Sequence, residues 1–94
     1  MWRVLETKTA SKVLDRAPLD VRQKWTLWLA IVRQSGPVGL HAISGFRDEA
    51  LTGQWAGFRA SRLSLGTRVI YRVHRDVLEV HVVKVTAQHD YRRR

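Results

Sequence analysis

The sequence has no cysteine and little negative charge. Its 94 residues include eight Asp and Glu against seventeen Lys and Arg, which gives a formal net charge of +9. Without cysteine, disulfides, thiol catalysis and thiolate zinc sites are excluded. No apolar run reaches the length of a membrane span, and residues 1–6 lack the apolar core of a signal peptide. We therefore expect a cytoplasmic protein with no membrane partner, folded as one domain over residues 1–94.

Acidic residues are absent from the whole of the segment 50–75. Within it, residues 58–73 predict two β-strands around a tight turn at 65–67. This strand pair carries four arginines: Arg59, Arg62, Arg68 and Arg72. A rigid cationic surface of this kind binds polyphosphate backbones, or an acidic protein. A basic surface that serves only solubility is the third alternative.

The remaining pattern predicts an α+β fold. The predicted order is a strand at 2–6, a short helix capped by Ser11 and closed by Pro18, a helix at about 20–34, a loop with at most one short turn at 38–57, and a strand meander at 58–86. Two N-terminal helices are expected to pack on one face of a small antiparallel sheet. The opposite face then carries the arginines.

Residue types suited to RNA cleavage occur on and after these strands. Attack by a 2′-hydroxyl on the neighbouring phosphate needs a base, an acid and cations that stabilise the developing charge. Arg68 and Arg62, on adjacent strands, are candidates to bind one phosphate, because a planar guanidinium meets two oxygens at once. His89 is the candidate acid and Glu49 the candidate base. A surface role for His89 and a salt bridge or helix cap for Glu49 remain open.

Several other residues are candidates for substrate contact. Tyr91 is suited to stacking on an unpaired base or to packing back against the domain, and Arg72 and Arg92 to contacting phosphates. Arg59 belongs to the same group, although arginines on a solvated sheet face also serve to cover apolar surface. The histidines at 41, 74 and 81 lack metal-ligand spacing. We therefore expect neither a metal nor another cofactor.

Short motifs in the second half of the chain resemble one protein family. They are L-T-G-Q-W at 51–55, R-A-S-R-L-S at 59–64, R-V-I-Y-R-V at 68–73 and H-D-Y-R at 89–92. Together they resemble the RelE/ParE superfamily, the toxins of bacterial type II toxin–antitoxin modules. Length, element order and basic charge extend the similarity over nearly the whole chain.

The resemblance implies a metal-independent mRNA interferase, an endoribonuclease that cuts messages in the ribosomal A site. By position, Arg68 matches the arginine on the scissile phosphate and Arg62 a basic residue of the preceding strand. His89 and Tyr91 fall where these nucleases carry an acid and a base-stacking aromatic ring. Glu49 lies nearer the L-x-G motif than the family's loop carboxylate. The implied partners are mRNA, the ribosome and a cognate acidic antitoxin, which suits a charge of +9.

Two other functions fit the same fold. One is inhibition of DNA gyrase, as in the other branch of the superfamily, which needs no histidine acid. The other is a non-catalytic module that binds nucleic acid or its acidic partner. The pair His89 and Tyr91 favours the nuclease.

Overall fold

The computed structural model describes residues 1–87. Its helices and strands, in chain order, are β1 (Arg3–Glu6), α1 (Lys8–Asp15), α2 (Leu19–Ser35), β2 (Glu49–Ala50), β3 (Arg59–Ser64), β4 (Thr67–His74) and β5 (Glu79–Ala87). Short 3₁₀ turns occupy Pro37–Ala42, Ser44–Phe46, Gly53–Trp55 and Arg75–Val77. Within the described range, no helix is long and apolar enough to cross a membrane. The predicted α+β class with two N-terminal helices is confirmed.

The five strands form one sheet in the order β1-β5-β4-β3-β2. The two helices follow β1, and β2 lies at the far edge of the sheet. The meander of β3, β4 and β5 then returns the chain to β1. The sheet is antiparallel apart from the pairing of β1 with β5, which is parallel. A parallel pair needs a long crossover connection, and here it contains both helices and the strands β2, β3 and β4.

The core lies between α2 and one face of the sheet. Its centre is Trp28, whose ring stacks on Trp25 at 5.0 Å and meets Tyr71 edge-on at 5.4 Å between centroids. The indole N–H of Trp28 donates to the hydroxyl of Ser61 at 2.9 Å, so its buried polar atom is satisfied. The buried residues of α2 recur at steps of three and four, as an amphipathic helix requires: Val21, Trp25, Trp28 and Val32.

Helix α1 begins one turn earlier than the sequence predicted. Thr7 is the N-cap, because its side chain accepts a hydrogen bond from the amide of Ala10 at 3.1 Å. The prediction of Ser11 as N-cap was therefore wrong. Ala10 and Leu14 are buried, so the added turn packs on the core. Helix α2 extends the predicted bounds by one residue at each end and stops before Gly36.

The segment predicted as a loop, 38–57, has more internal structure than expected. Leu40 and Phe46 are fully buried, so its first half packs on the core. The second half contributes β2, which pairs antiparallel with β3. As a result, the residues around Asp48 and Glu49 are held against the edge of the sheet.

Candidate functional site

Strand alternation divides the side chains of β3 and β4 between two faces of the sheet. Val69 and Tyr71 are buried on the side of the helices, whereas Arg68 and Arg72 are exposed. We call the side away from the helices the open face. Arg62 of β3 is the register partner of Arg68. Because directly opposite residues share a face, the two guanidinium groups extend from neighbouring points.

Glu49 adds a carboxylate to this pair of arginines. It accepts a hydrogen bond from Nη2 of Arg68 at 3.0 Å. Its register partner in β3, Ala60, occupies the position next to Arg62 on the same face of the sheet. An open depression of about 430 Å³ lies here, lined by Arg47, Asp48, Glu49, Arg62 and Arg68. The structure thus brings together Glu49, Arg62 and Arg68, three residues that the sequence analysis predicts as candidates for catalysis.

The ion pair between Glu49 and Arg68 is accessible to solvent. The side chains are 62% and 45% exposed, respectively. An exposed pair of this kind contributes about 0–1 kcal/mol, so a phosphate can take the place of the carboxylate at little cost. The depression is therefore suited to a phosphodiester that binds Arg68 while Glu49 stays close to it.

Behind the depression, Asp48 is the centre of a buried hydrogen-bond network. Its Oδ1 accepts from Nε of Arg59 at 2.8 Å. Its Oδ2 accepts from the hydroxyl of Ser61 at 2.6 Å and also from the hydroxyl of Tyr71. The side chain of Asp48 is 1% exposed. A carboxylate can be buried in this way because a cation and two hydroxyls satisfy its charge.

The network also shifts the pKa values of Tyr71 and Arg59. Burial, then the hydrogen bond and negative charge of Asp48, raise the pKa of Tyr71 well above its usual range. Burial lowers the pKa of Arg59, but the hydrogen bond and charge of Asp48 outweigh it, and the net direction is upward. Both shifts favour the protonated forms, in which Tyr71 donates to Asp48 and Arg59 is its cationic partner. His41 lies at the outer end of the network, 3.3 Å from Nη2 of Arg59.

Arg59 is consequently separated from the other strand arginines. Its register partner is Tyr71, and its guanidinium points to the helix side, where it pairs with Asp48. The open face carries Arg62, Arg68 and Arg72, and the placement of Arg59 does not favour the predicted contact with substrate. Local sequence patterns did not identify Asp48 as a site residue. The available signal was the pair of polar residues Arg59 and Ser61 on the strand face whose third residue, Leu63, belongs to the core.

A second group on the open face is aromatic. Trp55 and Phe58 meet edge-to-face at 5.2 Å between ring centroids. The guanidinium of Arg72 lies 5.4 Å from the centroid of Phe58, and the ammonium of Lys84 lies 5.9 Å from that of Trp55. The sequence identified Trp55 only as a motif position, because the structure of its loop was not predicted.

The other end of the open face carries histidines. The ring centroids of His74 and His81 lie 4.1 Å apart. Hydrogen bonds from His81 and Arg3 lower the pKa of Glu79 beside them. Among residues 1–87, no group of three or more His, Asp or Glu side chains could hold a metal ion.

Three predicted site residues, His89, Tyr91 and Arg92, lie outside the described residues. Their assignments as acid, stacking ring and phosphate contact therefore stay predictions.

Comparison with known proteins identifies the fold. Neither a protein-family model nor a curated protein matches the sequence. Among solved structures, RelE in the RelE–RelB complex of Pyrococcus horikoshii is 23% identical with a TM-score of 0.74, covering 93% of this chain and 94% of that one. YafQ of E. coli is 14% identical with a TM-score of 0.72, at 97% and 98% coverage. A YoeB/ParE toxin of Agrobacterium tumefaciens is 16% identical with a TM-score of 0.71, at 90% and 96%. The chain therefore has the fold of the RelE, YafQ and YoeB toxins.

Proposed function

We propose that this protein is the toxin of a type II toxin–antitoxin module and that it cuts mRNA on the ribosome without a metal. The observation that carries the proposal is the cluster of Glu49, Arg62 and Arg68 in one open depression. It holds a carboxylate beside two cations that can bind a phosphate. The cluster lies on a fold shared with RelE and YafQ, which adds to the case.

In this proposal, Arg68 binds the scissile phosphate and stabilises the charge of the pentacoordinate state. Arg62 binds the same phosphate from the adjacent strand. Glu49 takes the proton from the 2′-hydroxyl, whose oxygen then attacks phosphorus. The bond from phosphorus to the 5′ oxygen breaks, and His89 donates a proton to that oxygen. The products are a 2′,3′-cyclic phosphate and a 5′-hydroxyl.

The contact between Glu49 and Arg68 supports this division of roles. A phosphate that binds Arg68 displaces a carboxylate that is 3.0 Å away. The released carboxylate then lies beside the nucleotide whose 2′-hydroxyl must lose its proton. Tyr91 would stack on a substrate base, and Arg72 and Arg92 would contact flanking phosphates.

An acidic antitoxin is the proposed protein partner. The matching structures include a DinJ–YafQ complex of E. coli and a YoeB–YefM complex of Staphylococcus aureus. A chain with a net charge of +9 is complementary to an acidic protein, because opposite potentials guide association. We propose that such a partner covers the open face.

The test uses Arg68→Ala, with Arg75→Ala as its matched control. Arg75 is an exposed arginine of the 3₁₀ turn after β4, so its removal lowers the net charge equally without touching the depression. We expect Arg68→Ala to lower the rate of transcript cleavage, mapped by new 5′ ends, by about 100- to 1,000-fold. Equal cleavage by both variants would contradict the active site. Inhibition of gyrase supercoiling by the unaltered protein and by Arg68→Ala, without cleavage, would support gyrase as the target instead.

A further inference from the structure

The open face carries an aromatic pair that the cleavage chemistry does not use. Trp55 and Phe58 are half-buried and meet edge-to-face at 5.2 Å. The core formed by the described residues includes neither ring, and neither is among the half-buried side chains packed against that core. Rings of this size normally supply core area. Their position on the cationic face of the sheet therefore calls for a second role.

Two cations lie against these rings. Arg72 is 5.4 Å from the centroid of Phe58 and Lys84 is 5.9 Å from that of Trp55. Both cations come from strands of the open face, β4 and β5, and both are exposed. A ring with adjacent positive charge is what single-stranded nucleic acid binds, because the base stacks on the ring and the cation meets the phosphate.

The aromatic pair lies in line with the candidate active site. Arg72 is four residues from Arg68 along β4 on the same face, which corresponds to about 13 Å. Between them are Ala60 and Ile70, which are register partners and 1% and 8% exposed. The open face thus presents an arginine pair, an apolar strip and then an aromatic pair with its own cations.

We propose that Trp55 and Phe58 form a stacking subsite for an unpaired base of an RNA strand whose phosphate binds Arg62 and Arg68. Arg72 and Lys84 would bind the phosphates next to the stacked base. The subsite is separate from the stacking role assigned to Tyr91. The proposal rests on the proposed function for the position of the strand, but it does not require that the strand be cut.

Packing offers the competing explanation for the two rings. Ala60 and Ile70 are buried but are not members of the helix-side core, so side chains on the open face must cover them. If cover is the only role of Trp55, a leucine serves it as well as an aromatic ring. If stacking is the role, leucine fails and phenylalanine succeeds, because only a ring presents a π-face.

The experiment measures the affinity of the full chain for a short single-stranded RNA carrying 2′-O-methyl groups, which cannot be cut. Fluorescence anisotropy is recorded for the unaltered protein, Trp55→Leu, Trp55→Phe and the control Arg75→Ala. We expect Trp55→Leu to weaken binding by about 5- to 100-fold, whereas Trp55→Phe keeps most of the affinity. Arg75→Ala is expected to reduce RNA affinity only slightly, because it removes one charge distant from the subsite.

Abasic substitutions in the same RNA identify the stacked base. In the unaltered protein, removing that base should weaken binding as much as Trp55→Leu does. In Trp55→Leu, the same removal should have no further effect, because the interaction is already lost.

Two outcomes would overturn the subsite. The first is equal RNA affinity of Trp55→Leu and the unaltered protein. The second is a loss of RNA affinity for Trp55→Phe as large as for Trp55→Leu, accompanied by a matching drop in the unfolding midpoint, which would assign the ring to packing. If Arg68→Ala did not affect cleavage, the proposed active site would be refuted. The RNA affinities of the Trp55 variants would still decide whether the stacking subsite exists.

Discussion

Asp48 and Glu49 are consecutive residues whose carboxylates lie on opposite faces of the sheet. The side chain of Asp48 is 1% exposed, within the network on the helix side, whereas that of Glu49 is 62% exposed on the open face. Extended backbone alternates its side chains in this way. Because Arg59, Ser61 and Tyr71 hold Asp48, they also hold the backbone that presents Glu49. The buried carboxylate therefore positions the exposed one.

The first prediction concerns the stability supplied by Asp48. We expect Asp48→Ala to lower the free energy of unfolding by about 3–5 kcal/mol, because it leaves Arg59 partly buried without its counter-ion. Urea denaturation provides the measurement. Glu49→Ala is the matched control, and its exposed ion pair predicts a loss of at most about 1 kcal/mol. A loss for Asp48→Ala of no more than about 1 kcal/mol, as expected for an exposed ion pair, would show that the network adds little to folding.

The second prediction concerns alkaline pH. The pKa of Tyr71 is raised in the folded state, so above the unfolded value near 10 the folded chain binds more protons than the unfolded one. Its contribution to stability is therefore complete below about pH 10 and is lost as the pH rises further. In a Tyr91→Phe background, where Tyr71 is the one remaining tyrosine, tyrosinate absorbance should appear only on unfolding. Adding Tyr71→Phe should flatten the fall of stability with pH. An unchanged slope would rule out this linkage.

The third prediction concerns Gly36, which ends α2. Its φ is +78°, and a Cβ there would lie 2.6 Å from Nε1 of Trp2. Gly53 is the matched control, since its φ is +66° but, among the described residues, no atom lies within 4 Å of its Cβ position. Gly53→Ala should cost about 1–2 kcal/mol from backbone strain alone. Gly36→Ala should cost about 1–3 kcal/mol more, because Trp2 must move and because the ψ of 178° at Gly36 lies in a region that is essentially restricted to glycine. Equal unfolding midpoints would mean that neither the displacement of Trp2 nor this backbone conformation adds a cost.

Local patterns in the sequence predicted most of the fold. The sequence predicted α2 to within one residue at each end, and its prediction that arginines lie on the face away from the helices holds for Arg62 and Arg68. The sequence predicts Ser11 as the helix cap, but the cap is Thr7. The first turn of α1 begins with Lys8 and Thr9, and its first buried residue is Ala10. The hydrophobic pattern of the sequence therefore does not indicate that the helix begins this early.

The parts that were missed depend on contacts between distant residues. Asp48 bonds to residues 11, 13 and 23 positions away along the chain. Local hydrophobic periodicity carries no information about such contacts, and acidic residues are usually exposed to solvent. The aromatic pair was missed for the same reason, since Trp55 contacts Lys84 of β5. The arginine pair was accessible to prediction because one tight turn fixes the register of its two strands.

The last prediction separates a catalytic role of Glu49 from a simple ion pair with Arg68. We expect Glu49→Gln to lower the rate of cleavage in a single turnover on programmed ribosomes by about 100- to 10,000-fold, because the amide cannot accept the proton. The affinity for uncuttable 2′-O-methyl RNA should stay constant or increase, since a negative charge 3.0 Å from Arg68 has been removed. A loss of cleavage rate without a loss of RNA affinity is what a general base predicts. A cleavage rate that is unchanged, with affinity increased, would leave Glu49 as a competitor of the phosphate and would require the base to come from elsewhere.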